Sequence, residues 1–529
     1  MGAKIHAVEK SSEIELKFMV PAAARAAVAT ELQRAAGSFS RETLDASYLD
    51  TLDRRLARAG ISWRLRREGR RWVQTLKVAG AGAIERFEHE AIRPDATHDA
   101  TEHAGTPAGD RLATLLSRAR QDGLEPVVRF RTEVRRSKRS IRTRGAVVEV
   151  ALDEGRLLAG ERSLRLRELE FELVSGPVSA LLALAERWRK RFGLILEPRS
   201  KSERGDRLAE GSPFPELRKA ARPAYSSRAG VAEAFGAVLD ECVTQMIRNA
   251  AGLTEGDPAL RVEHVHQMRV AIRRLRSALR IFLEWVPPPP PVLVEELRGL
   301  FATLGEARDT DVLGSGVAAA LAEAGAPPLR VPTGTSAADP VATVRSDSTQ
   351  HLLLAWIAWR EGLDEAPPAA TNPPQQVAAG TEANAGAAVA EPSPAAPPVP
   401  VDLHGAAAKR LRRWHRRIAA DEKAFDTLDE EALHGLRKRV KRQRYAVEFF
   451  APVLNRRATE RYLKSLAALQ DRMGELNDLF VARALYQSLV RQEPAAWFAL
   501  GWLAARIAEV RASVGPALRA LAKLDPPTA

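Results

Sequence analysis

Two rhythms of apolar and polar positions divide this chain. From about residue 11 to 205 the period is two, the signature of strands whose successive side chains point to opposite faces. In Glu13-Ile14-Glu15-Leu16-Lys17-Phe18 the charged residues share one face and Ile14, Leu16 and Phe18 the other. Trp63-Arg64-Leu65-Arg66, Val73 to Lys77, Val147 to Asp153 and Glu168 to Leu173 repeat the grammar. Arg67-Glu68-Gly69, Ala79 to Gly82, Arg144-Gly145 and Asp153-Glu154-Gly155 read as turns between them, and helical patterns interrupt near 21–36 and 177–192. Charged faces on nearly every strand exceed what a solvated surface needs. The expectation is an α+β domain, residues 1–210, built on a closed antiparallel sheet with a polar interior and flanking helices. The pattern alone also fits an open sheet packed on helices.

After a proline-containing linker at 211–224 the period becomes 3.6 and predicts an all-α domain over 225–525. It repeats internally, about 225–362 and 403–525, as a pair of helical bundles. His266-Gln267-Met268-Arg269 and Arg273-Arg274-Leu275-Arg276 align with His434-Gly435-Leu436-Arg437 and Lys441-Arg442-Gln443-Arg444. Phe282 aligns with Phe450, and Gly305-Glu306-Ala307-Arg308-Asp309 with Gly474-Glu475-Leu476-Asn477-Asp478. Ala/Pro-rich stretches at 324–346 and 363–402 read as linker, with a short apolar helix from His351 to Trp359 between them.

The 529 residues carry 80 Lys+Arg against 67 Asp+Glu, a net charge of +13, which favours a polyanionic partner. A lone cysteine, Cys242, excludes an internal disulfide framework. No stretch approaches the ~18 consecutive apolar residues of a membrane span, and no apolar leader opens the chain; the expectation is a cytoplasmic protein.

On the helices, His266, Arg269, Arg273, Arg276 and Arg280 fall three and four apart on one face, with Arg274 beside them; His434, Arg437, Lys441 and Arg444, with Lys438, do the same. Few acids relieve these stripes, so the like charges repel, and guanidinium forks suit phosphate oxygens. This half, about 225–523, resembles the CHAD domain, the conserved-histidine α-helical module. The resemblance implies two helical bundles that bind inorganic polyphosphate through these residues, with granules of the polymer as an expected location; nucleic acid stays open as a less favoured partner.

On the strands, acids and bases alternate in register, a mixture that suits a metal–polyphosphate complex: hard cations take carboxylate oxygens while Arg and Lys hold phosphates. No Walker loop, zinc spacing or Ser/His/Asp set competes, and His89, His98 and His103 read as scattered surface residues. The Glu-x-Glu-x-Lys opening with the later sets resembles the CYTH domain of the triphosphate tunnel metalloenzymes, over about 11–207. The resemblance implies an eight-stranded tunnel holding Mg²⁺ or Mn²⁺ on Glu13, Glu15, Glu88, Glu149, Asp153, Glu170 and Glu172. It implies phosphate contacts from Arg64, Arg66, Lys77, Arg86, Arg129, Arg131 and Arg135, and catalytic roles for Lys17, Glu90 and Lys201. Glu90, Glu170 and the metals all remain open as the base. Met1 to Ser12 precede the opening motif and would cover part of the tunnel mouth.

The whole reads as a CYTH–CHAD fusion resembling bacterial inorganic triphosphatases, with inorganic triphosphate as expected substrate and polyphosphate as expected partner. The alternatives are a non-catalytic polyphosphate-binding or granule-targeting protein, and an enzyme acting on an organic triphosphate, as thiamine triphosphatases and adenylyl cyclases do.

Overall fold

The computed structural model describes residues 13–34, 39–80, 82, 84–312, 317–328, 338–365 and 401–528. Met1 to Ser12, and residues 329–337 and 366–400 of the Ala/Pro-rich stretches, lie outside the described residues. Side chains are described to Gly305 and again from Val317, so Glu306 to Asp309 of the first Gly-Glu element also lie outside.

The strands are β1 (Glu13–Met19), β2 (Ser40–Asp50), β3 (Ile61–Glu68), β4 (Arg71–Ala79), β5 (Glu85–Arg93), β6 (Val127–Thr143), β7 (Ala146–Ala159), β8 (Arg162–Ser175) and β9 (Ile195–Leu196). They pair in the order β5-β4-β3-β2-β6-β7-β8-β1-β9, and β5 also pairs with β1. That last pairing, Glu13 opposite Arg86 and Ile14 opposite Glu85, closes β1–β8 into an eight-stranded antiparallel barrel. Closure, one of the two architectures the alternation allowed, removes all edges among these eight strands.

The helices of this half are α1 (Arg25–Gln33), α2 (Arg55–Arg58), α3 (Pro107–Gln121), α4 (Val178–Phe192) and α5 (Lys201–Ala209). Three of them decide what the barrel contains. Leu112 and Leu116 of α3 pack on the outward-facing Leu49, Trp63 and Leu76, and Trp188 of α4 packs edge-on against the outward-facing Phe171. The sequence reading anticipated α4 but not α3, whose Thr106 cap and Pro107 start were legible signals. Helix α5 goes inside. Its Leu208 joins Ala46, Tyr48, Phe130 and Leu157, all on the inward parity, so this helix fills part of the lumen. The approach is so close that a Cβ on Gly205 would lie 2.2 Å from the Phe130 ring.

Two expectations are corrected. Asp153-Glu154-Gly155 is not a turn but the middle of β7; Gly155 is needed because a Cβ there would lie 1.9 Å from the Glu133 carbonyl oxygen across the ladder. His89 and His103 are buried, not surface residues. Their Nδ1 atoms lie 2.8 Å apart, and Gln74 Nε2 lies 3.0 Å from the other nitrogen of His103.

The helical region comprises α6 (Val231–Glu255), α7 (Arg261–Phe282), α8 (Pro291–Val312), α9 (Ala318–Glu323), α10 (Pro340–Arg345), α11 (Asp347–Glu365), α12 (Leu403–Lys423), α13 (Glu430–Phe450), α14 (Arg456–Leu489) and α15 (Ala496–Ala522). Two compact units result. One joins Met1–Ala221 to Leu239–Leu275 and Pro290–Glu361; the other joins Arg222–Val238, Arg276–Pro289 and Gly362–Ala529. In the first, α11 docks on the barrel half: Gln350 Oε1 accepts from Leu196 N at 2.8 Å, capping β9, and the buried Arg189 of α4 reaches Asp347 at 2.8 Å. In the second, α12–α15 pack together, and the repeat-equivalent Phe282 and Phe450 meet with ring centroids 5.3 Å apart. Among the described residues no helix is long and apolar enough to cross a membrane.

The buried histidine pair sets a pH dependence. Burial, and then the neighbouring His89, push His103 from 6.5 down to about 4, so the folded state favours the neutral ring. The unfolded chain takes up this proton first as pH falls through 6.5. His103 therefore supports full stability above pH 6.5 and loses about 3 kcal/mol of it towards pH 4. His103→Gln should flatten the fall of the urea midpoint over that window; an unchanged slope would show that the acid loss lies elsewhere.

Candidate functional site

Closure turns one residue in two on each strand inward, and away from the apolar patch under α5 that inward set is largely charged. β1 contributes Glu13, Glu15 and Lys17; β3 Arg64 and Arg66; β4 Lys77; β5 Arg86, Glu88 and Glu90; β6 Arg136 and Lys138; β7 Glu149; and β8 Glu170 and Glu172. With Lys201 from the first turn of α5 they line one cavity of about 700 Å³. Asp153 and Glu168 lie beneath this wall, fully buried.

Register explains how the charges meet. Glu172 stands opposite Glu149 on one side and Glu15 on the other, so three carboxylates occupy one rung across β7, β8 and β1. Like charges directly opposite destabilise a sheet unless cations separate them. Lys138 lies 3.3 Å from Glu149, and Arg86 and Lys17 lie 2.5 and 2.9 Å from Glu15. Although burial opposes ionisation of Glu15, the Lys17, Lys77 and Arg86 charges hold its carboxyl at about 2. Glu13 behaves oppositely. Burial pushes it up to about 7 despite Lys77 at 2.8 Å, helped by a hydrogen bond with Glu88. Carboxylates crowded this way offer the hard oxygen donors that Mg²⁺ or Mn²⁺ takes, and the Glu13–Glu88 contact is what a divalent cation would relieve.

A second acidic cluster is already filled. Asp153, Glu168 and Glu170 have carboxylate oxygens within 4.8 Å of one another, but Lys201 Nζ lies 2.7 Å from Asp153 and 2.8 Å from Glu170 and also touches Glu168. Arg136 bridges Asp153 and Glu170 at 2.6 and 2.5 Å. Burial opposes ionisation of Glu170, yet Lys201, Arg136 and Lys17 hold it well below the usual carboxylate range. It is a weak base in this setting.

The basic wall of β3 is held mostly by longer contacts, although Arg66 also touches Glu68. Glu90 lies 3.6 Å from Arg66 and 4.0 Å from Arg64, and Glu88 lies 3.8 Å from Arg64. The Nε atoms of Arg64 and Arg66 are buried without a hydrogen-bond partner. Burial, then the neighbouring Arg64 charge, lower the pKa of Arg66, with Arg136 adding to the effect. Such a wall is suited to an anion.

Three expected phosphate contacts are misplaced. Arg131 and Arg135 are exposed on the outer face, Arg135 near Glu154, while Arg129 pairs with Glu210 outside the cavity lining. The inward phase of β6 runs through Phe130, Thr132 and Val134 to Arg136 and Lys138. Bases occur on both faces of this strand, so the arginines alone could not set its phase; the apolar residues that pack in the lumen with Tyr48 and Leu44 could. Glu168, Arg136 and Lys138 were the residues missed.

In the helical region the motif residues contact one another. Arg269 stacks over Phe301 at 4.5 Å and lies on Gly305, where a Cβ would come within 2.2 Å of its Nη1. In the second copy His434 Nδ1 lies 3.2 Å from Asn477 Oδ1. Each His-x-x-Arg turn thus meets its own copy's Gly-Glu element. Arg274 is corrected: it is buried and donates to the Ala221 carbonyl at 2.8 Å, away from any basic face. Arg273, Arg276, Arg437 and Lys441 keep their helix positions on α7 and α13, with Lys438 and Arg280 exposed and Arg444 2.9 Å from Glu448. Arg442, absent from the expected set, lies over Trp414 at 5.7 Å; burial and then the Arg280, Arg417 and Arg439 charges depress its pKa.

Comparison with known proteins follows the same division. The CYTH domain family matches residues 11–205 and the CHAD domain family residues 237–487. A Haemophilus influenzae protein named inorganic triphosphatase is 29% identical over 161 residues, which cover 30% of this chain and 44% of the relative, less than half its length. Among solved structures, the CHAD domain of the plant Ricinus communis is 28% identical with a TM-score of 0.43, over 59% of this chain and 99% of that one. A Hippeastrum protein described as a putative adenylyl cyclase with a dominant triphosphatase activity is 18% identical with a TM-score of 0.26, over 38% and 98%.

Lys201→Met should leave three buried carboxylates without their ammonium and destabilise the barrel by about 3–5 kcal/mol. Mn²⁺ should then raise the urea midpoint of the variant more than that of the parent, because the vacated centre suits a cation. Equal Mn²⁺ responses would show that Lys201 is not what fills it.

Proposed function

Because the chain joins a CYTH domain to a CHAD domain, we propose that it hydrolyses inorganic triphosphate with a divalent cation in the tunnel and binds inorganic polyphosphate on its helical half. The observation that carries the reading is the crowding of Arg64 and Arg66, whose buried Nε atoms are unmatched, on a wall that Arg136 adjoins and that faces a wall of carboxylates. A polyphosphate anion satisfies the first wall and its cation the second. The name of the Haemophilus influenzae relative supports the same reaction class.

In this reading Arg64, Arg66 and Arg136, with Lys77 and Lys138, hold phosphoryl oxygens and draw charge away from the bridging oxygen as its bond breaks. Glu13, Glu15, Glu88, Glu149 and Glu172 would hold the divalent cation, which would supply neutralisation of phosphate charge and activation of water. Lys17, between Glu15 and Glu170, orients the acidic wall; Glu90 sits at the end of the basic one. Glu170 is too strongly paired with Lys201 and Arg136 to serve as base, which leaves Glu90 as the candidate among the expected bases of this chain. Tyr48, the aromatic side chain in the lining among the described residues, is stacked on Phe130 with centroids 4.4 Å apart. That favours an inorganic substrate over one whose base or thiazole ring needs a stacking partner.

Phosphate release from tripolyphosphate, thiamine triphosphate and ATP, each with Mg²⁺, Mn²⁺ or chelator, tests the tunnel. Metal-dependent release is expected with tripolyphosphate preferred; release from none would leave a binding protein, and cyclic product from ATP would mark a cyclase. On the helical half, Arg442→Gln should weaken retention of long-chain polyphosphate and lower its salt sensitivity by roughly one charge's worth. Unchanged retention at all salt concentrations would remove the α12–α13 face from the binding surface.

A further inference from the structure

Helix α5 presents Lys201 to the buried acids from its first turn, and three contacts fix that turn. Ser200 caps it, its Oγ accepting from Glu203 N at 3.0 Å. Lys201 is itself held by Asp153 and Glu170. The third contact comes from far along the chain: Arg248 of α6 grips the Glu203 carboxylate with both ends of its fork, Nη1 to Oε1 at 2.6 Å and Nη2 to Oε2 at 3.0 Å. Both residues line the tunnel cavity. Lys201 lies in the CYTH segment and Arg248 in the CHAD segment, yet both belong to one compact unit.

Resting on the triphosphatase reading, we infer that Arg248, a residue of the helical half, is a positioning residue of the tunnel: it anchors the α5 turn that carries Lys201 and neutralises Glu203, which would otherwise face the substrate anion. The two tasks are physically separable. The bidentate fork sets geometry, which a point charge does not reproduce. The positive charge cancels a carboxylate whose repulsion would weaken binding of a polyanion without altering the chemistry of the bound complex.

The test uses the full chain and tripolyphosphate. Arg248→Met should lower kcat about tenfold, as expected for a small displacement of a positioning group, and raise KM several-fold. Arg248→Met with Glu203→Gln should bring KM back towards the parent while kcat stays low, because the repulsion is gone but the anchor is still missing. Arg248→Lys should keep KM near the parent with a reduced kcat, and it carries the test if the methionine variant does not fold. Asp347→Ala, which cuts a different contact of the barrel half with α11, should behave as the parent. The inference is overturned if Arg248→Met leaves kcat and KM unchanged, if the double variant fails to separate them, or if Asp347→Ala matches the Arg248→Met loss. A parent that releases no phosphate defeats the triphosphatase reading instead; calorimetric binding of tripolyphosphate then judges Arg248 alone, with weaker binding by Arg248→Met and recovery in the double variant supporting it and equal binding overturning it.

Discussion

The short pairing of β1 with β5 is the constraint on which the rest of this unit depends. Left open, the strands would show their charged faces to water, and each Glu or Arg could keep its hydration. Closed, those faces become a lumen in which solvation is restricted and every charge must find a partner. The dense pairing around Glu15, Asp153, Glu170 and Lys201 follows from closure, as do the opposite fates of neighbouring carboxylates. Glu13 and Glu15 lie two residues apart on one strand, yet one is pushed up to about 7 and the other held at about 2. Proximity to Glu88 in one case and to three cations in the other decides between them.

Within the lumen the compensation is uneven. Where α5 enters, Lys201 and Arg136 neutralise Asp153, Glu168 and Glu170 almost completely, so that corner holds the barrel together. Along β3, positive charge is left crowded, with Arg64 pressing on Arg66. Along the rung Glu149, Glu172 and Glu15 the carboxylates stand opposite one another, with Lys138, Arg86 and Lys17 among them.

The helical region shows a different economy. Its motif residues do much of their work within the fold: Gly305 makes room for Arg269, His434 reaches Asn477, and Arg274 supports the Ala221 carbonyl. Basic residues on a helix stripe thus divide between those that hold the bundle together and those, such as Arg280 and the cluster around Arg442, whose like charges are left close together. The first helical copy also completes the barrel half, through Gln350 at β9 and Arg248 at α5.

By itself the sequence determined the class of each half, the repeat in the second, and the inward set on most strands, because a period of two or 3.6 is a local property written in consecutive residues. Glu13, Glu15, Lys17, Arg64, Arg66, Lys77, Glu88 and Glu172 were legible for that reason, and they do share one cavity. The phase of β6 was not. Arg135 and Arg136 differ by one step of the pleat, and with bases on both faces only the packing of Phe130 against Tyr48 decides which face is the lumen. Tertiary structure alone decided that the sheet closes, that Gly155 lies within a strand, and that α5 enters the barrel. It alone brought Arg248 to Glu203, 45 residues away in sequence. Each of these depends on contacts between residues distant along the chain, which leave no periodic trace in the sequence.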